Sequence, residues 1–291
     1  MNGLRHLVTR GAAPLLSRRA VNGVLATRKS HTVETGAPLT HFTDEETMLR
    51  DTVRKLATEK IAPLVKKMDE EEKIDAGVLQ SLFDNGLMGI EVPDEYGGTG
   101  ASFFSSMLVV EELSRIDASV AAACDVHNTL VVNLMAQLGN EEQKKKYLPR
   151  LSQDMVGSFC LSEPLAGSDA FSLKTEAKKD GDHFVINGSK MWITNSDVAG
   201  VFLVMANADP SLVKFFQDNA VLIINVSNFQ GYRGITCFIV DREMPGVSVA
   251  PKEKKLGIRA SGTCMVHFDN VRVSKANEKS CDTLNLLKIF L

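Results

Sequence analysis

The chain has 291 residues, a hydrophobic share of 44% and a formal net charge of −3. That length suggests two domains at roughly 150 residues each, and the residue balance is that of an ordinary globular protein. A slightly acidic chain gives no reason to expect nucleic acid, and no apolar run approaches the roughly 18 residues of a membrane span. Cysteines at 124, 160, 237, 264 and 281 form no close pair and no metal-ligand spacing, so they read as reduced buried thiols.

Residues 1–33 stand apart. Glu34 is the first acid, whereas Arg5, Arg10, Arg18, Arg19, Arg28 and Lys29 are basic. Leu4, Leu7 and Val8 share one helical face. An Arg-rich, acid-poor amphipathic start reads as a mitochondrial transit peptide cut near Lys29, which implies the matrix as destination. A disordered basic tail is the plainer alternative.

From 41 to 154 the apolar period is helical. Thr43 and Glu46 have capping-box spacing, and Met48, Leu49, Val53 and Leu56 mark a face that Pro63 ends or bends. Lys66 to Lys73 is a charge run, read as a solvated connection. Val78, Leu79, Leu82 and Phe83 form a second stripe closed by Asn85-Gly86. Pro93 to Gly100 is glycine-rich, but Glu91, Asp94 and Glu95 would repel phosphate and no lysine follows where a P-loop requires one. A structural turn is the better reading. Ser102 to Arg115 is a third helix. Ala118 to Leu138 is a fourth, apolar on nearly all sides and therefore buried. His127 lies in it and reads as a packed or hydrogen-bonded histidine. Gly139 ends that helix, and Asn140 with Gln143 can cap the next.

From Met155 the period shortens, and 155–277 reads as a small antiparallel β-barrel or sandwich. Met155 to Leu161 is strand-like and breaks into a polar turn built on Glu163, Pro164 and Gly167. His183–Ile186, Met191–Ile193, Val201–Val204, Gly234–Asp241 and Met265–Val273 read as strands, the first two separated by the turn signal Asn187-Gly188. Val266, Phe268, Val271 and Val273 face the core with a slip at Asp269-Asn270, read as a bulge. The expected fold is thus α+β and multidomain, a helical bundle followed by a small β-domain.

The stretch Phe159-Cys160-Leu161-Ser162-Glu163-Pro164-Leu165-Ala166-Gly167-Ser168-Asp169, followed by Gly188-Ser189-Lys190-Met191-Trp192-Ile193-Thr194, resembles the flavin-binding strands of the acyl-CoA dehydrogenase family. Pro93 to Gly100 and Lys255 to Ser261 resemble further signatures of that family at matching places. Gly231-Tyr232-Arg233-Gly234-Ile235-Thr236 resembles its short/branched-chain branch. The resemblance implies FAD held by Phe159, Cys160, Leu161, Ser162, Gly167, Ser168, Trp192, Ile193 and Thr194. Trp192 would be a flat wall, and Ser162 and Thr194 would be hydroxyl donors, the cofactor itself carrying the redox step. It also implies that Ser168 and Tyr232 contact an acyl-CoA substrate, that electrons pass to electron-transferring flavoprotein, and that copies assemble, as tetramers in the family. By the residues alone, both segments could be ordinary strands around a buried tryptophan. Leu165 stands where the family has glycine, and its bulk would crowd the backbone near the substrate.

Two departures stand out. Ser211 to Gln230 interrupts the match and carries the apolar run Ala220 to Val226, an aggregation-prone pattern rather than a loop. Val213-Lys214 and Phe229-Gln230 are residues that a splice donor and acceptor would encode, so the insertion reads as translated intron. The family pattern then holds through Asn277, and Glu278 to Leu291 resembles nothing in it. The family's C-terminal helical domain carries the catalytic Glu, so the resemblance implies no catalytic residue here. General-base catalysis is worth about 10²–10⁴-fold. The expected function is FAD-dependent α,β-dehydrogenation of short or branched-chain acyl-CoA thioesters, in a truncated form. A non-catalytic binding or assembly partner and an acyl-CoA oxidase stay open beside it.

Overall fold

A computed structural model describes residues 41–208 and 234–274, together with the backbone of 278–279. The expectations for residues 1–33, Ser211–Gln230, Tyr232 and most of the Glu278–Leu291 tail lie outside these residues.

Helix α1 (Asp44–Leu56) opens on the expected capping box. Glu46 N–H donates to Thr43 Oγ1 at 3.1 Å, and Thr43 N–H to Glu46 Oε2 at 2.8 Å. Pro63 bends the chain rather than ending it: a π turn (Ala57–Ile61) and a 3₁₀ turn (Ala62–Leu64) lead into α2 (Val65–Glu71). Proline offers no N–H to the ladder, and irregular turns accommodate that loss. The charge run is therefore mostly helix, not a solvated connection. Met68 anchors it in the core while its charged neighbours face water, and it stops where Glu72 turns left-handed, at φ 54°. Helix α3 (Ala76–Asp84) is capped by Asp75 and buries Val78, Leu82 and Phe83. The Pro93–Gly100 segment is a structural loop whose buried Tyr96 donates its hydroxyl to Glu141 Oε2 at 2.9 Å.

Ser102 caps α4 (Phe103–Ser114). The fourth helix is continuous but not uniform: α5 (Ala118–Asp125), a π segment (Val126–Val132), then α6 (Asn133–Leu138). The π segment carries two buried polar side chains that satisfy backbone elsewhere. Asn128 Nδ2 donates to Leu87 O and Cys124 O, each at 2.9 Å. His127 Nδ1 accepts from Gly157 N–H at 3.1 Å, while Nε2 lies 2.9 Å from both Met88 O and Leu151 O. Two carbonyls on one nitrogen and an N–H on the other fix the neutral Nε2–H tautomer. One imidazole thus joins the loop after α3, the end of α7 (Glu141–Gln153, opened by the Asn140/Gln143 capping box) and the first strand.

The strands are β1 (Gly157–Cys160), β2 (Glu176–Asp180), β3 (His183–Thr194), β4 (Val201–Asn207), β5 (Ile235–Asp241), β6 (Val247–Lys252), β7 (Thr263–Ser274) and β8 (Glu278–Lys279). Their order is β6-β7-β3-β2-β4-β5-β8, with β1 on β4. The sheet is mixed rather than wholly antiparallel. Strand β2 continues in the direction of β1, β3 runs back antiparallel to it, and the chain reverses once more, so β4 runs parallel to β1. It also meets β2 in parallel at Glu176↔Asn207.

Asn187-Gly188 is not a turn. Strand β3 runs through it, with a register shift against β7 between Ile186 and Gly188. Glycine is required because the Thr175 side chain occupies the space a Cβ would take. The slip at Asp269-Asn270 is a bulge: Asn270 has φ 52°, and Val266, Phe268, Val271 and Val273 are all buried. Strands β2 and β6 escape the sequence pattern because few of their side chains enter the core, Ala177 alone being buried in β2.

A second joint links helices to sheet. Glu72 accepts from Lys254 at 2.7 Å and Arg259 at 3.0 Å, and Lys252 donates to its carbonyl. These cations, Lys254 first, hold its carboxyl at about 2.

Burial lowers His127 to about 4, against roughly 6.5 in an unfolded chain. The unfolded chain takes the proton first, so the stability that His127 contributes is complete above about pH 6.5 and is lost as pH falls toward 4. In urea titrations, His127→Gln should lose less stability than wild type on going from about pH 7 to about pH 5. His127→Ala should cost about 2–4 kcal/mol at neutral pH. Equal pH slopes for wild type and His127→Gln would refute this role.

Candidate functional site

Strand β1 and the residues just after it are pinned against the end of β3. Ser158 Oγ donates to Thr194 O at 2.8 Å, and Met191 N–H donates to Ser162 O at 2.8 Å. These bonds lay Leu161-Ser162 beside Met191–Thr194. Cys160 is buried, and Phe159, Leu161 and Ser162 are half-buried. Glu163 and Ala166 then exchange backbone hydrogen bonds of 2.9 and 3.1 Å, closing a tight turn. That turn throws Leu165 outward, 79% exposed, with Gly167 and Ser168 exposed after it. No atom lies within 4 Å of where a Gly167 Cβ would stand. The fold itself leaves that backbone open to close approach by another molecule.

The alternative of ordinary strands around a buried tryptophan fails at Trp192. It is not buried: it is 63% exposed, at φ 58°, where β3 slips against β7 between Lys190 and Ile193. The bulge sends Lys190 and Ile193 inward and the indole outward. A bulky residue in the left-handed region is a strained outlier of the kind that collects at functional sites. The side-chain hydroxyls of Ser162 and Thr194 form no hydrogen bond among the described residues. An exposed aromatic face beside two unused donors is what a flat, polar-edged ring system needs.

Beneath this surface lies an ion pair. Lys190 is fully buried, its Nζ 2.7 Å from Glu163 Oε1 and 3.1 Å from Leu161 O. Glu163 also accepts from Lys174 N–H at 2.5 Å and Thr175 N–H at 3.0 Å. Burial pushes the Glu163 carboxyl up, but the charge and hydrogen bond of Lys190 and the two backbone donors outweigh it, holding the carboxyl below its usual range. Burial pushes the Cys160 thiol beside it upward, making it inert.

The structure therefore gathers Phe159, Cys160, Leu161 and Ser162 with Trp192, Ile193 and Thr194, and sets Gly167 and Ser168 on the exposed turn that follows. Tyr232 lies outside the described residues. Sequence reasoning missed the Lys190–Glu163 pair. A signal was available: Lys190 stands in phase with the core-facing Phe184 and Ile186, and a lysine on the core side of a strand demands an anion. Cys124, Cys160, Cys237 and Cys264 are buried, and none of them forms a disulfide. Among the described residues no cluster suits a metal, and no helix is long and apolar enough to cross a membrane.

Family models described as acyl-CoA dehydrogenase, N-terminal domain, and acyl-CoA dehydrogenase, middle domain, match residues 43–154 and 158–271. Over 241 residues the chain is 53% identical to the mitochondrial short/branched chain specific acyl-CoA dehydrogenase of Bos taurus, an overlap of 83% of this chain and 52% of that protein. Among solved structures, butyryl-CoA dehydrogenase from Megasphaera elsdenii is similar with a TM-score of 0.75 and 31% identity, over 86% of this chain and 61% of that one. An acyl-CoA dehydrogenase complexed with FAD from Bacillus anthracis gives 0.72 and 32%, over 86% and 39%. The chain spans about half the length of the curated relatives it matches.

Trp192 is the single tryptophan of the chain, so its emission reports this surface alone. In the free chain it should emit as a solvated indole and be readily quenched by acrylamide. A blue-shifted, quencher-resistant emission would contradict the outward orientation.

Proposed function

The chain belongs to the acyl-CoA dehydrogenase family, and we propose that it binds FAD on the surface formed by Leu161-Ser162 and Trp192–Thr194, as part of a site for α,β-dehydrogenation of short or branched-chain acyl-CoA thioesters. One observation carries this reading: the outward indole of Trp192 at a strained backbone position, with the hydroxyls of Ser162 and Thr194 unoccupied nearby. FAD, when bound, supplies the acceptor for the substrate's β-hydrogen.

The chain's own residues bind and orient. Trp192 offers a wall for the ring, while Ser162 and Thr194 offer donors to its polar edge. Phe159, Cys160 and Ile193 hold the two strand ends that carry these groups. The open backbone at Gly167 and the exposed Ser168 lie on the following turn, where Ser168, with Tyr232, is assigned to the acyl-CoA. Leu165 projects from that same turn and narrows the space beside it. Glu163 is bound to Lys190 and is not available to take the substrate's α-proton. Electron-transferring flavoprotein is the proposed electron acceptor and a second copy of the chain the proposed assembly partner. The mitochondrial matrix is the proposed compartment, supported by the acid-free, Arg-rich start and by mitochondrial relatives.

Titrating FAD into the chain tests the site. Trp192→Ala should weaken binding by about tenfold, as loss of an aromatic contact worth about 0.5–1.5 kcal/mol implies. Ser162→Ala and Thr194→Ala should each cost about 1 kcal/mol, roughly fivefold. Affinity unchanged in all three variants sinks the assignment.

Import into isolated mitochondria tests the address. The chain should enter the matrix and lose a segment ending near Lys29. An uncut chain that stays accessible to added protease speaks for a cytosolic protein.

A further inference from the structure

Resting on the flavin reading above, we propose that Lys190 and Glu163 are positioning residues of the flavin site, a charge pair that holds the Leu161-Ser162 backbone against β3 and sets the electrostatic balance behind the cofactor's polar edge.

The bonds converge on one short segment. Lys190 Nζ donates to Leu161 O at 3.1 Å, one peptide from Ser162, and to Glu163 Oε1 at 2.7 Å. Met191 N–H, the next group along β3, donates to Ser162 O at 2.8 Å. Glu163 in turn ties back Lys174 and Thr175, the far end of the loop that bears Gly167 and Ser168. The two residues therefore fix three things together: the carbonyl before Ser162, the exit from the Ser162 turn, and the bulge that points Trp192 outward. Neither charge reaches solvent, so each is compensated by its partner and by nearby backbone groups, Leu161 O for the lysine and the N–H groups of Lys174 and Thr175 for the carboxylate. Replacing such a pair by apolar groups is often neutral for stability, so stability alone gives no strong reason to bury lysine here. A task at the adjoining surface does.

The test is opposite in sign for two variants that break the same bond. Reduced flavin carries more negative charge at its polar edge than oxidised flavin. Glu163→Gln keeps the shape and leaves Lys190 without its anion; measured at the acid end of the range in which the chain stays folded, so that the lysine keeps its proton, it should favour reduced FAD. Lys190→Met leaves a carboxylate that keeps its bonds from Lys174 and Thr175 and so stays ionised; it should favour oxidised FAD. We expect each variant to change the ratio of affinities for oxidised and reduced FAD by about tenfold, in opposite directions, or about 30 mV for a two-electron couple. The double variant Glu163→Gln/Lys190→Met carries neither charge. It should restore the wild-type ratio while binding FAD at least tenfold more weakly, because Leu161 O has lost its anchor, and it decides the matter should either single variant fail to fold. Trp192 emission and thermal melting check that the fold survives. Shifts of the same sign in both single variants, or a double variant that binds FAD as wild type does, overturn the proposal while leaving the flavin site standing. A wild-type chain that takes up no FAD overturns both.

Discussion

A lysine ammonium buried without water must find an anion and a carbonyl, or give up its proton. The segment from Gly157 to Thr194 is arranged about that demand. Glu163 is folded back into the interior by the two hydrogen bonds it shares with Ala166, and the polar turn exists to bring that carboxylate under Lys190. The outward projection of Leu165, the exposure of Ser168 and the antiparallel approach of Leu161-Ser162 to the end of β3 all follow from that one convergence. Charge satisfaction in the interior and access at the surface are two faces of the same loop and strand ends.

The two joints between helices and sheet differ in kind. His127 is neutral, enclosed and bound to three backbone groups, so salt has little to screen there. Glu72 meets Lys254 and Arg259 at the surface, where ionic strength weakens such contacts within about a Debye length of 10 Å. High salt should therefore loosen the grip of the β6–β7 loop on the end of α2 while leaving the first residue of β1 in place. Acid acts in the reverse sense, reaching the imidazole well before a carboxyl held at about 2.

Much of this was legible in the residues. Capping signals at Thr43 and Asn140 gave helix starts because they are local chemistry, settled within four residues. The slip at Asp269-Asn270 showed because alternation on both sides of it was clean. What failed did so where tertiary contact overrode a local signal. Asn187-Gly188 looked like a hairpin turn, but its glycine answers to the Thr175 side chain, far upstream and invisible to any local window. The Lys66–Lys73 run looked solvated because one buried methionine was outweighed by its charged neighbours. Strand β2, with a single core side chain, offers no alternation to read. At the candidate site the residue types were visible in the sequence, but the orientation of Trp192 was not, since a bulge inverts the phase of the strand that carries it.

That inversion has an evolutionary edge. A tryptophan held at φ 58° sits in a conformation that disfavours any side chain by about 1–3 kcal/mol and suits glycine. Mutational drift under selection for sturdiness alone would empty the position, relaxing the bulge and removing an exposed aromatic at one stroke. A lineage that keeps the indole there is being held uphill by something other than folding, and the height of that slope measures the strength of selection for use. Once use is relaxed, position 192 is where this chain should begin to change.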